Sequence, residues 1–137
     1  MNTEHSGQPC ILLVEEDNET RPILANNLRK RGYRVLLALD EEDALERVEG
    51  GVHADLVLVN LVGKSVEEVL EAGRHVRLHA KYDGHTPLVV MPEKYSKDLE
   101  GTDVNVAGND WVHYLGEEPD QLYNLLGRLL PVRLAPE

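Results

Sequence analysis

The 137-residue chain carries 14 Lys and Arg against 25 Asp and Glu, a net charge of −11 at pH 7. With 42% hydrophobic and 28% charged residues it has the composition of one globular domain, long enough for a real core and too short for two. Apolar runs such as 35–39 and 56–59 fall far short of the ~20 residues of a membrane-spanning helix, and so acidic a surface repels phosphate backbones and anionic lipid, so neither nucleic acid nor membrane is an expected partner.

Residues 1–9 have neither the apolar core nor the basic start of a signal peptide and are expected to be a flexible leader. Cys10 is the single cysteine, which rules out an internal disulfide framework and agrees with an expected cytoplasmic location. From there short aliphatic runs alternate with longer amphipathic ones, the pattern of a parallel sheet sandwiched between helices. Strands are predicted over 10–14, 34–39, 56–59, 88–91 and 110–114. A continuous run such as Leu56-Val57-Leu58-Val59 fits an interior strand buried on both faces, where a half-wet strand would alternate.

The first helix, over 19–31, places Leu24 and Leu28 one turn apart, tolerates Pro22 in its opening turn and stops at Gly32. The second is capped by Asp40, presents Ala44, Leu45 and Val48, and ends at Gly50-Gly51. The third, over 65–80, carries Val66, Val69, Leu70, Gly73 and Val76 on one stripe, with Ser65 as N-cap and Glu68 completing a capping box. A fourth helix is expected within 93–109, short or distorted because Gly101, Thr102, Val104, Val106 and Gly108 are poor helix formers. The fifth opens at Pro119, closes before Pro131 and is apolar at Leu122, Leu125, Leu126 and Leu129. Five βα units with right-handed crossovers give an α/β doubly wound, three-layer domain over 10–131, followed by a tail at 132–137.

Particular residues carry a more specific signal. The opening Ile11-Leu12-Leu13-Val14-Glu15-Glu16-Asp17 is followed by Arg21, Leu24, Leu28, Gly32-Tyr33 and Ala44-Leu45. Later come Asp55-Leu56-Val57-Leu58-Val59-Asn60-Leu61, Thr86-Pro87-Leu88-Val89-Val90-Met91 and Ala107-Gly108-Asn109-Asp110-Trp111-Val112. Together, over about residues 10–130, they resemble the receiver domain of response regulators in two-component signalling. The resemblance implies a flavodoxin-like five-stranded parallel sheet in the order 2-1-3-4-5, with the site at the carboxyl ends of the strands. It also implies transfer of a phosphoryl group from a phosphohistidine to an aspartate, with acidic residues holding Mg²⁺ and a hydroxyl residue and a lysine binding the phosphoryl oxygens.

Carried over residue by residue, that machinery is missing. The nucleophile position is Asn60, whose neutral carboxamide cannot form an acyl phosphate. The hydroxyl position is Pro92, with neither hydroxyl nor N–H, and the lysine position is Tyr114. Glu15 and Glu16 stand where the family carries its metal-binding acids, but without a third anion their Mg²⁺ binding is expected to be weak or absent, and no cofactor is expected.

Other chemistries fare worse. His75 and His79 share a helix face but lack a third ligand, and they point away from the apolar stripe, so no zinc is predicted. Flavodoxin-type proteins share the topology, yet the loop Glu15-Glu16-Asp17-Asn18-Glu19 would repel a flavin phosphate. The sequence therefore predicts a non-enzymatic pseudo-receiver that works through a signalling protein partner or self-association. The alternatives are unorthodox phosphate or metal chemistry, or a small-molecule sensor at the vacated site. The expected interaction face joins the fourth helix, the fifth strand and the fifth helix, with Trp111, and with Tyr123 and Leu130 widening the apolar stripe at its edge.

Overall fold

The computed structural model describes residues 8–82 and 85–132, so most of the leader expected at 1–9 and of the tail at 132–137 lies outside the described residues. The chain runs β1 (Cys10–Glu15), α1 (Thr20–Lys30), β2 (Arg34–Ala38), α2 (Glu41–Glu49), β3 (Leu56–Asn60), α3 (Val66–His79) and β4 (Leu88–Val90). A 3₁₀ turn (Lys97–Leu99), β5 (Asp103–Ala107), β6 (Asp110–His113) and α4 (Gln121–Leu129) complete it. The sheet has the order β2-β1-β3-β4-β6-β5.

The interior strands behave as their composition demands. Every residue of β1 is buried, as are the four aliphatic residues of β3, because helices cover both faces. On one face Ala44 and Val48 of α2 and Val69, Leu70, Ala72 and Val76 of α3 close over Leu12, Val14, Val57 and Val59. On the other, Leu24, Ala25 and Leu28 of α1 and Leu122, Leu125 and Leu126 of α4 pack on Ile11, Leu13, Leu56 and Leu58. α3 approaches the sheet so closely that a Cβ at Gly73 would stand 2.6 Å from the Leu88 side chain. Its far end is held by charge: Arg74 Nε and Arg77 Nη1 lie 2.7 and 2.6 Å from the two oxygens of Asp110, buried at the start of β6.

The caps read from sequence are present. Asp40 accepts a hydrogen bond from the N–H of Asp43 at 2.8 Å, and Ser65 and Glu68 form the reciprocal capping box of α3.

The expected fourth helix is replaced. Between β4 and β6 the chain makes only the 3₁₀ turn and then β5, which pairs antiparallel with β6 and adds a sixth strand to the five parallel ones. Thr102, Val104 and Val106 favour extended backbone over helix. Gly108 takes the turn at φ +48°, and the Asn105 side chain donates to the Gly108 and Asp110 carbonyls, tying the hairpin together. A register shift between Asn105 and Ala107 bends the edge. No described helix is long and apolar enough to cross a membrane.

Candidate functional site

The carboxyl ends of β1 and β3 bring Glu15 and Asn60 into register. The Asn60 amide Nδ2 donates to both carboxylate oxygens of Glu15, at 3.0 Å each, and the backbone N–H of Asp17 donates to one of them at 3.2 Å. Glu15 is wholly buried, and that burial pushes its carboxyl above the ordinary glutamate range against the opposing pull of the Asn60 hydrogen bonds. Arg21 closes the loop from α1, donating to the Glu15 carbonyl at 2.9 Å and to the Asn18 side chain. Asp17 accepts from the N–H of Thr20 at 2.7 Å, which starts α1 and keeps its own carboxyl below the ordinary range, chiefly through the Thr20 hydroxyl.

Glu16 faces the other way. Its Oε1 accepts from the backbone N–H of Val62 at 2.8 Å, so it fastens the loop after β3. Glu15 and Glu16 are thus both engaged within the protein. Among the described residues no group of three or more His, Cys, Asp or Glu side chains is arranged to hold a metal ion. His75 and His79 instead contact Glu41 and Glu49 of α2, each at 2.9 Å.

Of the three residues that the sequence resemblance assigns to phosphorylation positions, two meet. Asn60 and Pro92 line one cavity of about 250 Å³ with Met91, Glu93, Tyr95, His113 and Leu115. Glu93 ties this cavity to the loop after β3, accepting from the N–H of Gly63 at 2.7 Å. Tyr114 does not line it: its ring turns into the core on the α3 side and packs edge-on against Tyr95, with 5.0 Å between centroids. Burial raises the Tyr114 phenol, and the negative charge of Glu67 adds to the effect.

His113 was not singled out by the sequence reading. It is fully buried; its Nδ1 lies 2.8 Å from Asp103 Oδ1, its register partner across the hairpin, and its Nε2 has no partner. Gln121, at the start of α4, also donates to Asp103 Oδ1, at 3.1 Å. In sequence a single histidine in an apolar run gives no warning. The only available signal was Gly108-Asn109 between alternating runs, which marks the hairpin that delivers Asp103.

On the opposite face Trp111, Tyr123 and Leu130 are partly buried against the α1/α4 core cluster. Arg31 stacks on the Tyr123 ring at 3.9 Å, Arg128 lies 5.8 Å from the Trp111 ring centre, and the Tyr33 hydroxyl donates to the Leu130 carbonyl at 2.9 Å.

No family model matches the chain. Among curated proteins, the uncharacterized transcriptional regulatory protein YrkP of Bacillus subtilis is 29% identical over 100 residues, spanning 73% of this chain but only 40% of that protein. Solved structures agree over most of the chain. The chemotaxis protein CheY4 of Vibrio cholerae superposes with a TM-score of 0.66 at 23% identity, over 90% of this chain and 99% of that one. The response regulator TrrA of Thermotoga maritima, solved with Mg(2+)-BeF, gives 0.64 at 21% identity over 90% and 100%. Another response regulator from Thermotoga maritima gives 0.62 at 26% identity over 91% and 97%. The structural neighbours are response-regulator receiver domains, and the fold is their flavodoxin-like α/β fold.

Proposed function

We propose that this chain is a pseudo-receiver: a signalling module of the two-component type that accepts no phosphoryl group and acts through contact with a protein partner. The observation that carries the reading is the Asn60 carboxamide, spent on capping the buried Glu15 carboxylate. An amide so placed is no nucleophile, and its conjugated nitrogen holds no lone pair for phosphorus. Pro92 adds no hydroxyl or N–H beside it, and the Tyr114 ring is packed away on Tyr95. Weak or absent Mg²⁺ binding belongs to the same reading, because Glu15 and Glu16 already serve internal N–H donors.

The partner is a protein rather than nucleic acid, given the net charge of −11. We assign its contact face to β6 and α4, around Trp111, Tyr123 and Leu130, where aromatic and aliphatic surface is only partly covered. With no hydroxyl at Pro92 to follow, Trp111 holds one position and the face is presented constitutively.

The test is incubation of the purified protein with Mg²⁺ and acetyl phosphate, read by intact mass. No added phosphoryl mass is expected; stoichiometric addition at any residue of this site overturns the proposal. Replacing Tyr123 and Leu130 with Ser should weaken self-association or partner capture while leaving the circular dichroism spectrum intact. Normal association by both variants removes the face from the reading.

A further inference from the structure

β5 is the outermost strand of the sheet, so one row of its backbone N–H and C=O groups faces β6 and the other faces no strand of this chain. It holds that place because the chain after Pro92 makes a hairpin instead of a helix. Four of its five residues, Val104 to Ala107, are exposed, with Val104 and Val106 keeping 36% and 40% of their surface. Sheet edges are commonly guarded by lysine or proline, and β5 carries neither. Its guard is the register shift between Asn105 and Ala107, which bends the strand and confines any added pairing to a short stretch.

Charge and symmetry both select what can pair there. At a net charge of −11, two copies of the chain repel over most of their surfaces. Residues 101–109 contain one charged side chain, Asp103, and its carboxylate accepts from Gln121 and lies 2.8 Å from His113 Nδ1. The edge is therefore a place where a second copy meets little repulsion. It is also self-complementary. Turning a copy by half a revolution about Asn105 pairs the strands antiparallel, with Val104 of each opposite Val106 of the other and Asp103 opposite Ala107, so no like charges face each other. Asn105 itself stands on the axis, its side-chain amide already committed to the Gly108 and Asp110 carbonyls.

We infer that β5 is a self-association edge, which pairs antiparallel about Asn105 with β5 of a second copy and joins two six-stranded sheets into one. The contact is isologous, so it closes at two copies and leaves no β5 edge for fibre growth. Five residues a side is well below the ~20–30 of a standard interface, so the dimer is weak and reversible. The inference goes beyond the pseudo-receiver reading and leaves the Trp111 face open to a different protein.

Sedimentation velocity of the whole chain from micromolar to millimolar concentration tests it: monomer is expected at the low end and dimer at the high end. Val106→Lys, on an exposed side chain, should weaken dimerisation about tenfold or more with an unchanged circular dichroism spectrum. Because Cys10 is buried, Val104→Cys and Val106→Cys each carry one exposed thiol, and they report the register. Under a copper–phenanthroline oxidant a mixture of the two should cross-link several-fold faster than either alone, since position 104 faces position 106 across the axis and not itself. If Val106→Lys does not fold, this cysteine pair decides. A monomer at every concentration, a Val106→Lys dimer as strong as the parent's, or a mixture that cross-links no faster than the single variants each overturns the inference. So does a dimer lost in Tyr123→Ser and kept in Val106→Lys, which would put self-association on the other face. An added phosphoryl mass from acetyl phosphate would sink the pseudo-receiver reading and leave this one standing.

Discussion

Asn60 Nδ2 stands 3.0 Å from both oxygens of Glu15, so the amide caps a buried carboxyl group. Asn60→Asp would set two carboxylates against each other at that distance, in a place where Glu15 has no solvent exposure. A loss of about 1–3 kcal/mol is expected at pH 8, shrinking as one of the pair becomes protonated at lower pH. Urea denaturation at pH 8 and pH 5 measures it. A variant as stable as the parent at pH 8 contradicts the capping role.

Glu15 itself should leave a mark on the pH dependence of stability. Burial raises its carboxyl in the folded state above the unfolded value of about 4.3, so the folded protein binds this proton more tightly. That contribution is fully present below the unfolded value and is lost as pH rises through the folded one. Stability of the parent relative to Glu15→Gln should therefore fall between about pH 4.3 and neutrality. Parallel stability curves for the two proteins over that interval would contradict this.

Asp110 works in the opposite direction. Burial alone would raise its carboxyl, but Arg77 and Arg74 outweigh that and hold it below the ordinary range. Its contribution is thus present above the unfolded value of about 3.9 and lost as pH falls through the lower folded one. Asp110→Asn leaves two guanidinium groups facing a neutral amide and should cost about 3–5 kcal/mol at pH 7. Thermal unfolding at pH 7 and pH 3 tests both magnitude and sign, since the deficit should shrink in acid.

Tyr114→Lys, which would put a lysine where the resemblance to receiver domains expects one, should destabilise the fold. The ring it removes is 7% exposed and packs on Tyr95 in the core cluster under α3. Losing that packing while placing an ammonium there should cost about 3 kcal/mol. Chemical denaturation measures this, and an unchanged midpoint would show that the Tyr114 pocket is looser than the packing implies.

Cys10 is buried at the start of β1, and that burial pushes its thiol up, with Asp55 adding to the effect and Arg34 opposing it. A thiol reagent at pH 8 should react with it only as fast as the chain opens, so the rate should rise steeply near the denaturation midpoint. Rapid reaction of the folded protein would place Cys10 at the surface.

The parts of the fold legible in sequence are those where one requirement dominates. Leu56 to Val59 could only be an interior strand, and Ser65 with Glu68 could only begin a helix, so β3 and α3 fall where they are predicted. The segment after Pro92 carries two competing signals. A parallel crossover calls for a helix, while Val104, Val106 and Gly108-Asn109 call for a hairpin, and local backbone preference prevails. Asn60, Pro92 and Tyr114 could be singled out one by one in the sequence. Their surroundings could not: the cap on Glu15, the ring-on-ring contact of Tyr95 and Tyr114, and the Asp103–His113 pair each join residues from separate elements.

The β5/β6 hairpin also bears on the order in which the chain can assemble. A parallel neighbour of β4 reached through a helix forms only after a long loop has closed, whereas β5 and β6 are joined by a two-residue turn and can zip locally on the microsecond scale of about 1–10 μs. The outer two strands can thus come to the nascent sheet as a preassembled unit, with Asp103 already opposite His113 before Leu88 to Val90 receive them. A chain that arrives this way meets a lower entropic barrier at its slowest edge.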